Sequence, residues 1–160
     1  MNLLKSRIFR SSAILALIIV VGDQLTKYFA LQNLKHFAPI KVVPMLNWHL
    51  TYNQGAAFGF LANYGGFQRY FLLLVAITIS CFIICKINQY KYQPNKKYES
   101  LALAMILGGA LGNFIDRLRF GYVIDFIDCY CGSWHWYTFN VADIFICLGV
   151  GLYFIVANDD

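Results

Sequence analysis

The chain has 160 residues, of which 59% are hydrophobic and only 13% are charged, and its mean hydropathy is +0.56. Soluble domains carry about a quarter charged residues, so this composition indicates lipid as the main solvent and argues against an ordinary soluble enzyme. The net charge of +5 indicates membrane topology and anionic headgroups rather than nucleic acid, because no basic run interleaved with aromatic residues is present. At this length we expect a single domain, residues 1–160, folded as one helical bundle.

The cysteines and histidines do not follow the spacing of a metal site or of a disulfide framework. Five cysteines are present, an odd number, and three of them lie inside apolar runs. Cys129 and Cys131 are separated by one residue, which is too close for an easy disulfide. The three histidines show no H-E-x-x-H spacing. We therefore expect no metal and no cofactor.

Residues 12–31 are predicted to form the first transmembrane helix. A basic stretch precedes their apolar run, as in a signal peptide, but no small-x-small cleavage site follows. The segment has close to the ~20 residues that a bilayer requires. Asp23 and Lys27 lie at i and i+4 with the acid first, the order that favours a pair on one helix face. The pair either neutralises a helix end that crosses the headgroup region or faces the bundle and supports a polar site.

Residues 32–68 are predicted to form a small strand-rich segment after the first helix. Polar residues alternate with aromatic and aliphatic residues between positions 47 and 53, a period of two that is typical of a strand. The sequence NQGAAFGF follows at residues 53–60. Its glycines permit a tight turn and close backbone approach to a ligand, although an ordinary Asn-x-Gly turn explains them equally well.

Three further transmembrane helices are predicted at residues 70–86, 100–116 and 139–157. The third predicted helix contains Gly108 and Gly112, a Gly-x-x-x-Gly spacing that lets a neighbouring helix approach closely. The fold class that follows is an all-α membrane protein with four transmembrane helices and a small strand-rich segment on the outer membrane surface.

The basic residues predict the orientation of these helices. With both termini in the cytoplasm, the inner segments hold seven basic residues and the outer segments six, and the inner seven occupy much shorter stretches. The strand-rich segment and the polar residues that follow the third helix then lie on the outer side. Aromatic residues such as Trp134 and Trp136 cluster at the same level, as in an interfacial belt.

A polar patch lies between the last two predicted helices, within residues 108–143. It contains Asn113, Asp116, Arg117, Asp125, Asp128, Asn140 and Asp143. A membrane protein rarely places so many ionisable groups at the mouth of its helices without a function. Asp125 lies in the apolar sequence VIDFI, so its pKa is expected to be raised.

Five aspartates are expected at the outer surface, namely Asp23, Asp116, Asp125, Asp128 and Asp143. No serine or cysteine nearby comes with a plausible histidine base, so a side-chain nucleophile has little support. Two close aspartates share one proton, and such a pair can activate water while hydrogen-bonding a carbonyl, which is aspartic proteolysis. The residue pattern alone does not select two of the five. It also leaves open a proton- or cation-coupled transporter and a structural adaptor with an ion-pair network.

Five sequence blocks in order resemble the lipoprotein signal peptidase family, also called signal peptidase II, over essentially the whole chain. They are GDQLTK at residues 22–27, NQGAAF at 53–58, GGALGNFIDR at 108–117, GYVIDF at 121–126 and FNVAD at 139–143. The resemblance implies an intramembrane aspartyl endopeptidase that removes the signal peptide of bacterial prolipoproteins, cleaving before a diacylglyceryl-modified cysteine.

The resemblance also implies roles for single residues. It assigns the catalytic pair to Asp125 and Asp143. It assigns substrate binding to Asn53, Gly55, Asn113, Arg117 and Asn140. It assigns support of the site to Asp23, Lys27 and Asp116.

The implied setting is the bacterial cytoplasmic (inner) membrane, with the site near the outer surface. The implied partners are prolipoproteins and membrane lipids, without nucleic acid, and the chain is expected to act as a monomer. Residues 129–138 match no block and are expected to act as a flap, and Asp128 and Cys129 are expected to be incidental. The transporter alternative explains one buried acid, but not several acids gathered at one surface beside asparagines and an arginine.

Overall fold

The computed structural model describes residues 2–36, 38–55 and 67–158. In these ranges the chain folds into helices joined at one end of the bundle to a small antiparallel sheet. This confirms the fold class predicted from composition and periodicity. We refer to the end that carries the sheet as the sheet end.

The first three helices extend beyond the limits that hydropathy predicts, whereas the fourth begins two residues later than predicted. Their bounds are α1 Asn2–Asn33, α2 Phe67–Tyr90, α3 Lys97–Phe120 and α4 Val141–Ala157, and a 3-10 turn at Pro94–Lys96 precedes α3. Hydropathy marks only the apolar part of a helix, whereas the polar flanking turns continue the same hydrogen-bond pattern. Three helices are long and apolar enough to cross a membrane, and α4 is a shorter apolar helix of 17 residues, roughly 25 Å long.

Helix α3 is the centre of the bundle and packs against the other three helices. Gly108 and Gly112 lie where α1 crosses it. A Cβ on Gly108 would stand 2.8 Å from the Cβ of Ile19, and one on Gly112 would overlap the carboxylate of Asp23. Because glycine has no Cβ, α1 and α3 can lie this close together at these two positions. The close approach predicted from the Gly-x-x-x-Gly spacing is therefore confirmed.

The sheet has four strands in the order β1-β2-β3-β4, all antiparallel to their neighbours. Their bounds are β1 Ile40–Val43, β2 Leu46–Asn53, β3 Val123–Cys131 and β4 Trp134–His135. The period-two pattern predicts β2. It does not reveal β3, because six consecutive residues of that strand are buried and a strand buried on both faces lacks polar alternation.

The register of β2 on β3 connects the strand-rich segment to the polar patch. Thr51 pairs with Asp125 and Asn47 pairs with Asp128, with an irregularity between the two pairs. On the other side of β3, an isolated bridge joins Ile127 to Phe139, immediately before α4. The sheet therefore holds Asp125 beside the start of α4.

Candidate active site

Helix α4 begins with a reciprocal capping box. Asn140 is the N-cap: its side-chain oxygen accepts a hydrogen bond from the backbone N–H of Asp143 (3.1 Å), and its own backbone N–H donates to Asp143 Oδ2 (3.2 Å). An asparagine and a carboxylate three residues apart satisfy two free N–H groups of a helix start. The predicted helix 139–157 is thus wrong in detail, because Asn140 precedes the helix. The cap holds Asp143 at the positive end of the helix dipole.

Asp125 lies on β3 and is only 2% exposed. Asn140 Nδ2 donates to Asp125 Oδ1 over 2.6 Å, and Asn53 Nδ2 donates to Asp125 Oδ2 over 3.1 Å. Asn140 therefore contacts both Asp125 and Asp143. Burial, reinforced by the charge of Asp143 and opposed by the two amide hydrogen bonds, raises the pKa of Asp125 to about 7. The apolar sequence around Asp125 predicts this direction.

Asn113 on α3 is the second amide that joins the site. Its Nδ2 donates to Asp143 Oδ1 (2.8 Å), and its Oδ1 accepts from Lys27 Nζ (2.9 Å) and from Asn140 Nδ2 (3.2 Å). A continuous chain of hydrogen bonds thus runs from α1 through α3 to α4.

Lys27 forms a buried cluster with two carboxylates. Its Nζ lies 2.8 Å from Asp23 Oδ2 and 2.8 Å from Asp116 Oδ2, and all three side chains are at most 2% exposed. Of the two sequence interpretations of the Asp23–Lys27 pair, this geometry supports the one in which it faces the bundle. Buried ion pairs recover little net energy after desolvation, so their value lies in fixing one arrangement of the groups around them.

Each carboxylate of this cluster also binds a backbone N–H next to the site. Asp23 Oδ1 accepts from the N–H of Ala142 in α4, and Asp116 Oδ2 accepts from the N–H of Ile124 in β3. These two peptide groups immediately precede Asp143 and Asp125. Gln24, to which sequence reasoning assigns no role, donates to Asp116 Oδ1 (2.8 Å); its only sequence signal is its place in the block at residues 22–27.

Arg117 reaches the site from α3. Its Nη2 donates to the carbonyl oxygen of Gly55 (2.9 Å), whose N–H in turn donates to Asn53 Oδ1 (3.0 Å). The guanidinium interacts electrostatically with Asp125 and Asp143. Its Nε is buried and has no hydrogen-bond acceptor within the described ranges. The rest of the block at residues 53–58, from residue 56 onward, lies outside the described residues.

Asp128 lies in the sheet, apart from the other four aspartates, and is 1% exposed. It accepts hydrogen bonds from Asn47 Nδ2 (2.9 Å) and His135 Nδ1 (2.9 Å), which join β3 to β2 and β4. Burial opposes ionisation, but these hydrogen bonds outweigh it and hold the pKa of Asp128 below its ordinary value. Asp128 is three residues from Asp125 along β3 and contacts neither Asp125 nor Asp143, which agrees with the expectation that it takes no part in catalysis. Its hydrogen bonds nevertheless give it a structural role in the sheet.

The partners of the five aspartates separate them into two classes. Asp23 and Asp116 share the ammonium of Lys27, and Asp128 pairs with His135. Over the ranges that the structure describes, Asp125 and Asp143 accept hydrogen bonds only from amides. The charge of Asp143 contributes to the raised pKa of Asp125, so the two carboxyl groups interact electrostatically, and close carboxyl pairs are an arrangement used in general acid–base chemistry.

No cluster of three His, Cys, Asp or Glu side chains that could hold a metal ion occurs among the described residues. The five cysteines are all free; Cys129 is half-buried and Cys131 is exposed. The segment predicted as a flap, residues 129–138, contains the end of β3 and all of β4.

Comparison with known proteins gives a consistent result. The family model described as signal peptidase (SPase) II matches residues 15–158. Lipoprotein signal peptidases from Polynucleobacter necessarius subsp. necessarius and from Coxiella burnetii (strain Dugway 5J108-111) are each 46% identical over 138 residues, or 86% of this chain and 83% of theirs. The lipoprotein signal peptidase of Escherichia coli O1:K1 / APEC is 44% identical over the same shares.

Solved structures agree with these relatives. A bacterial membrane enzyme determined by the in meso method at 2.3 Å matches with a TM-score of 0.82 and 32% identity, covering 94% of this chain and 88% of that one. The transporter alternative has no support among these matches. The apolar helices and these similarities show an integral membrane protease. The chain belongs to the signal peptidase II family, the lipoprotein signal peptidases.

Proposed function

We propose that the chain cleaves bacterial prolipoproteins immediately before their diacylglyceryl-modified cysteine, with Asp125 and Asp143 as the catalytic pair. The observation that supports this most directly is that one buried residue, Asn140, contacts both carboxylates: its Nδ2 donates to Asp125 Oδ1 and its backbone N–H donates to Asp143 Oδ2. Neither aspartate has an ion-pair partner among the residues described, so the pair is free to hold one proton between its two carboxyl groups.

The chemistry of such a pair is direct attack by water. The ionised carboxyl takes a proton from water, and the hydroxide oxygen bonds to the carbonyl carbon of the residue before the modified cysteine. The protonated carboxyl hydrogen-bonds the carbonyl oxygen as it gains charge. When the C–N bond breaks, the amine of the cysteine receives a proton and the carboxyl groups return to their starting state.

The five residues proposed to bind substrate divide into two groups by their contacts. The side-chain oxygens and nitrogens of Asn113 and Asn140 are already hydrogen-bonded to the aspartates and to each other, so these residues position the catalytic pair. Arg117 retains a buried Nε that is available to a substrate carbonyl. Asn53 is the last residue of β2 and donates to Asp125, and Gly55, two residues later, accepts a hydrogen bond from Arg117.

The proposed setting is the cytoplasmic membrane, with both termini in the cytoplasm and the sheet end at the outer surface. A lipid-modified cysteine reaches the site from within the bilayer. The apolar helices suit its acyl chains, and the sheet beside them suits its polar peptide backbone. Exposed aromatic residues at this end, including Tyr70 and Trp134, fit the interfacial region. We also propose that the chain acts as a monomer.

The deciding experiment compares two precursors with purified protein. One carries the diacylglyceryl group on its cysteine and the other does not, and mass analysis locates the cut. We expect the lipidated precursor alone to be cleaved efficiently, immediately before the cysteine. Equal cleavage of both precursors would show that the diacylglyceryl group is not required. A cut at another peptide bond would refute cleavage immediately before the cysteine.

A further inference from the structure

The orientation of the Asn113 amide is determined by a charge. An ammonium group has three N–H donors and no acceptor, so the atom of Asn113 that lies 2.9 Å from Lys27 Nζ must be the oxygen. Asn140 Nδ2 donates to the same oxygen over 3.2 Å. The Nδ2 of Asn113 is therefore directed at Asp143 Oδ1, 2.8 Å away.

Lys27 has no donor to spare. Its three N–H groups match three acceptors: Asp23 Oδ2, Asp116 Oδ2 and Asn113 Oδ1, each within 2.9 Å. The two carboxylates hold the ammonium in place, and the third N–H has one remaining direction. The buried cluster thus directs one N–H of Lys27 to the side-chain oxygen of Asn113.

The two aspartates receive unequal support for a negative charge. Both oxygens of Asp143 accept N–H donors, from Asn113 Nδ2 and from the backbone of Asn140, and the residue is half-buried at the first turn of α4. A helix start stabilises an anion there. Asp125 also accepts two amide donors, but it lies on a strand with 2% exposure and receives no helix dipole.

We propose that Lys27 is a positioning residue which, through Asn113, keeps Asp143 as the carboxylate of the pair and leaves the shared proton on Asp125. This rests on the proposed function and assigns each step to one group. Asp143 takes the proton from water as the water oxygen bonds to the carbonyl carbon, and Asp125 gives its proton to the carbonyl oxygen. When the C–N bond breaks, Asp143 passes its proton to the amine and Asp125 recovers its own.

Other charged groups face this pair and must be held constant in a test. Arg117 interacts with both aspartates, and Asp23 and Asp116 lie behind Lys27. One ammonium and two carboxylates give the Lys27 cluster a formal charge of −1. The double variant Lys27→Met/Asp116→Asn retains that charge, on Asp23, and removes the donor to Asn113. It also removes the ammonium that contacts Asp23, and it replaces the charged acceptor of the Ile124 N–H by a neutral amide oxygen.

The test measures kcat and KM for a lipidated precursor from about pH 5 to about pH 9. For the double variant we expect kcat to fall about tenfold below neutral pH, as for loss of a hydrogen bond to a charged group, with little change in KM. The pH profile of kcat should also change on its acid side, because Lys27 no longer fixes the Asn113 amide that donates to the Asp143 carboxyl. The exposed-lysine variant Lys41→Met serves as the control and should keep the normal profile.

A second variant covers the case in which the double variant does not fold. Asn113→Ala leaves every charge in place and removes the donor to Asp143, so we expect the same fall in kcat and the same change in the pH profile as for the double variant. Either folded variant with a wild-type pH profile would overturn the role of Lys27, since a merely structural residue changes the amount of active protein and not the profile. Failure of the wild-type protein to cleave lipidated precursor would instead overturn the proposed function.

Discussion

At the residue scale, Asn140 defines the site more than any other side chain. It is completely buried, caps α4 through Asp143, and donates to Asp125 and Asn113. An asparagine can do this because its side chain provides an acceptor and two donors on one planar group. A carboxylate at this position has no N–H group and could not donate the hydrogen bond that Asp125 accepts.

We expect Asp125→Asn and Asp143→Asn each to reduce the rate of cleavage by on the order of 10³-fold or more. When two residues act as one catalytic unit, the loss of either one removes most of the activity. Both proteins should remain folded in the membrane, because an asparagine preserves shape. Asp128→Asn is the matched control, an equally buried aspartate in the same strand as Asp125, and its cleavage rate should change little. Cleavage of a lipidated precursor followed by mass spectrometry measures all three. Substantial activity in either of the first two would exclude that residue from the pair.

Asp125 predicts a dependence on pH for both activity and stability. Its pKa is raised from 3.8 to about 7, so the proton needed on the pair is lost, and cleavage should decline, as pH rises through neutrality. The same shift means that the folded state binds this proton more tightly than the unfolded state. Stability therefore falls as pH rises from 3.8 toward 7, by about 4 kcal/mol in total.

The Asp125→Asn variant isolates this effect, because it removes the titrating group and retains an amide of the same shape. Above pH 7 it should melt at a higher temperature than the wild-type protein, and below pH 4 the two should converge. Thermal unfolding in detergent at both pH values provides the measurement. A variant less stable than wild type at alkaline pH would show that Asp125 does not carry a raised pKa.

At the element scale, β3 and the start of α4 are the two segments that bring the aspartates together. Backbone hydrogen bonds between Phe139 and residues 126–127 hold them side by side. Asp116 and Asp23 each bind the peptide N–H directly before one of the aspartates. The site is therefore positioned by the main chain as well as by side chains.

The hairpin formed by β3 and β4 has a separate support in the Asp128–His135 pair. We expect Asp128→Asn and His135→Ala to lower the free energy of unfolding by about 1–2 kcal/mol, because each leaves a buried hydrogen-bonding group in the sheet without its partner. Cleavage of the precursor should change only slightly. Unfolding measured beside activity separates the two effects; a large loss of cleavage at unchanged stability would place this pair in the mechanism.

The sequence alone predicts the helices and β2 because each has a clear hydrophobic period. It misses β3, whose buried run has no period, and so it does not reveal that Asp125 and Thr51 share a sheet. The N-cap was detectable, because an Asn followed three residues later by an Asp before an apolar run is a capping signature. The choice of two aspartates among five depends on the partner of each one, and the contact of Asp116 with Lys27 joins helices that are far apart in sequence.

At the scale of the whole molecule, the native cysteines report the orientation in the membrane. Cys131 is exposed at the sheet end, while Cys81 and Cys85 lie on α2 and Cys147 lies on the shorter apolar helix α4. If the sheet end faces outward, a membrane-impermeant thiol reagent should label Cys131 in intact spheroplasts, and Cys131→Ser should abolish most of that labelling. Replacement of Cys129 and Cys131 by serine should leave cleavage intact. Labelling of Cys131 only after lysis would reverse the proposed orientation.

The Asp23–Lys27 pair has a consequence for how the chain enters the bilayer. Asp116 and Ala142, with which Asp23 and Lys27 will later bond, are synthesised after α1 has emerged from the ribosome. During that interval the i,i+4 pair is the only local source of neutralisation for either charge. We expect the wild-type first helix to insert alone in a truncated nascent chain assayed by glycosylation mapping. In a double-mutant cycle of Asp23→Asn and Lys27→Met, we expect a coupling of about 0.5 kcal/mol in favour of the pair. The same ammonium that later supports the site would thus first offset part of the cost that Asp23 adds to insertion.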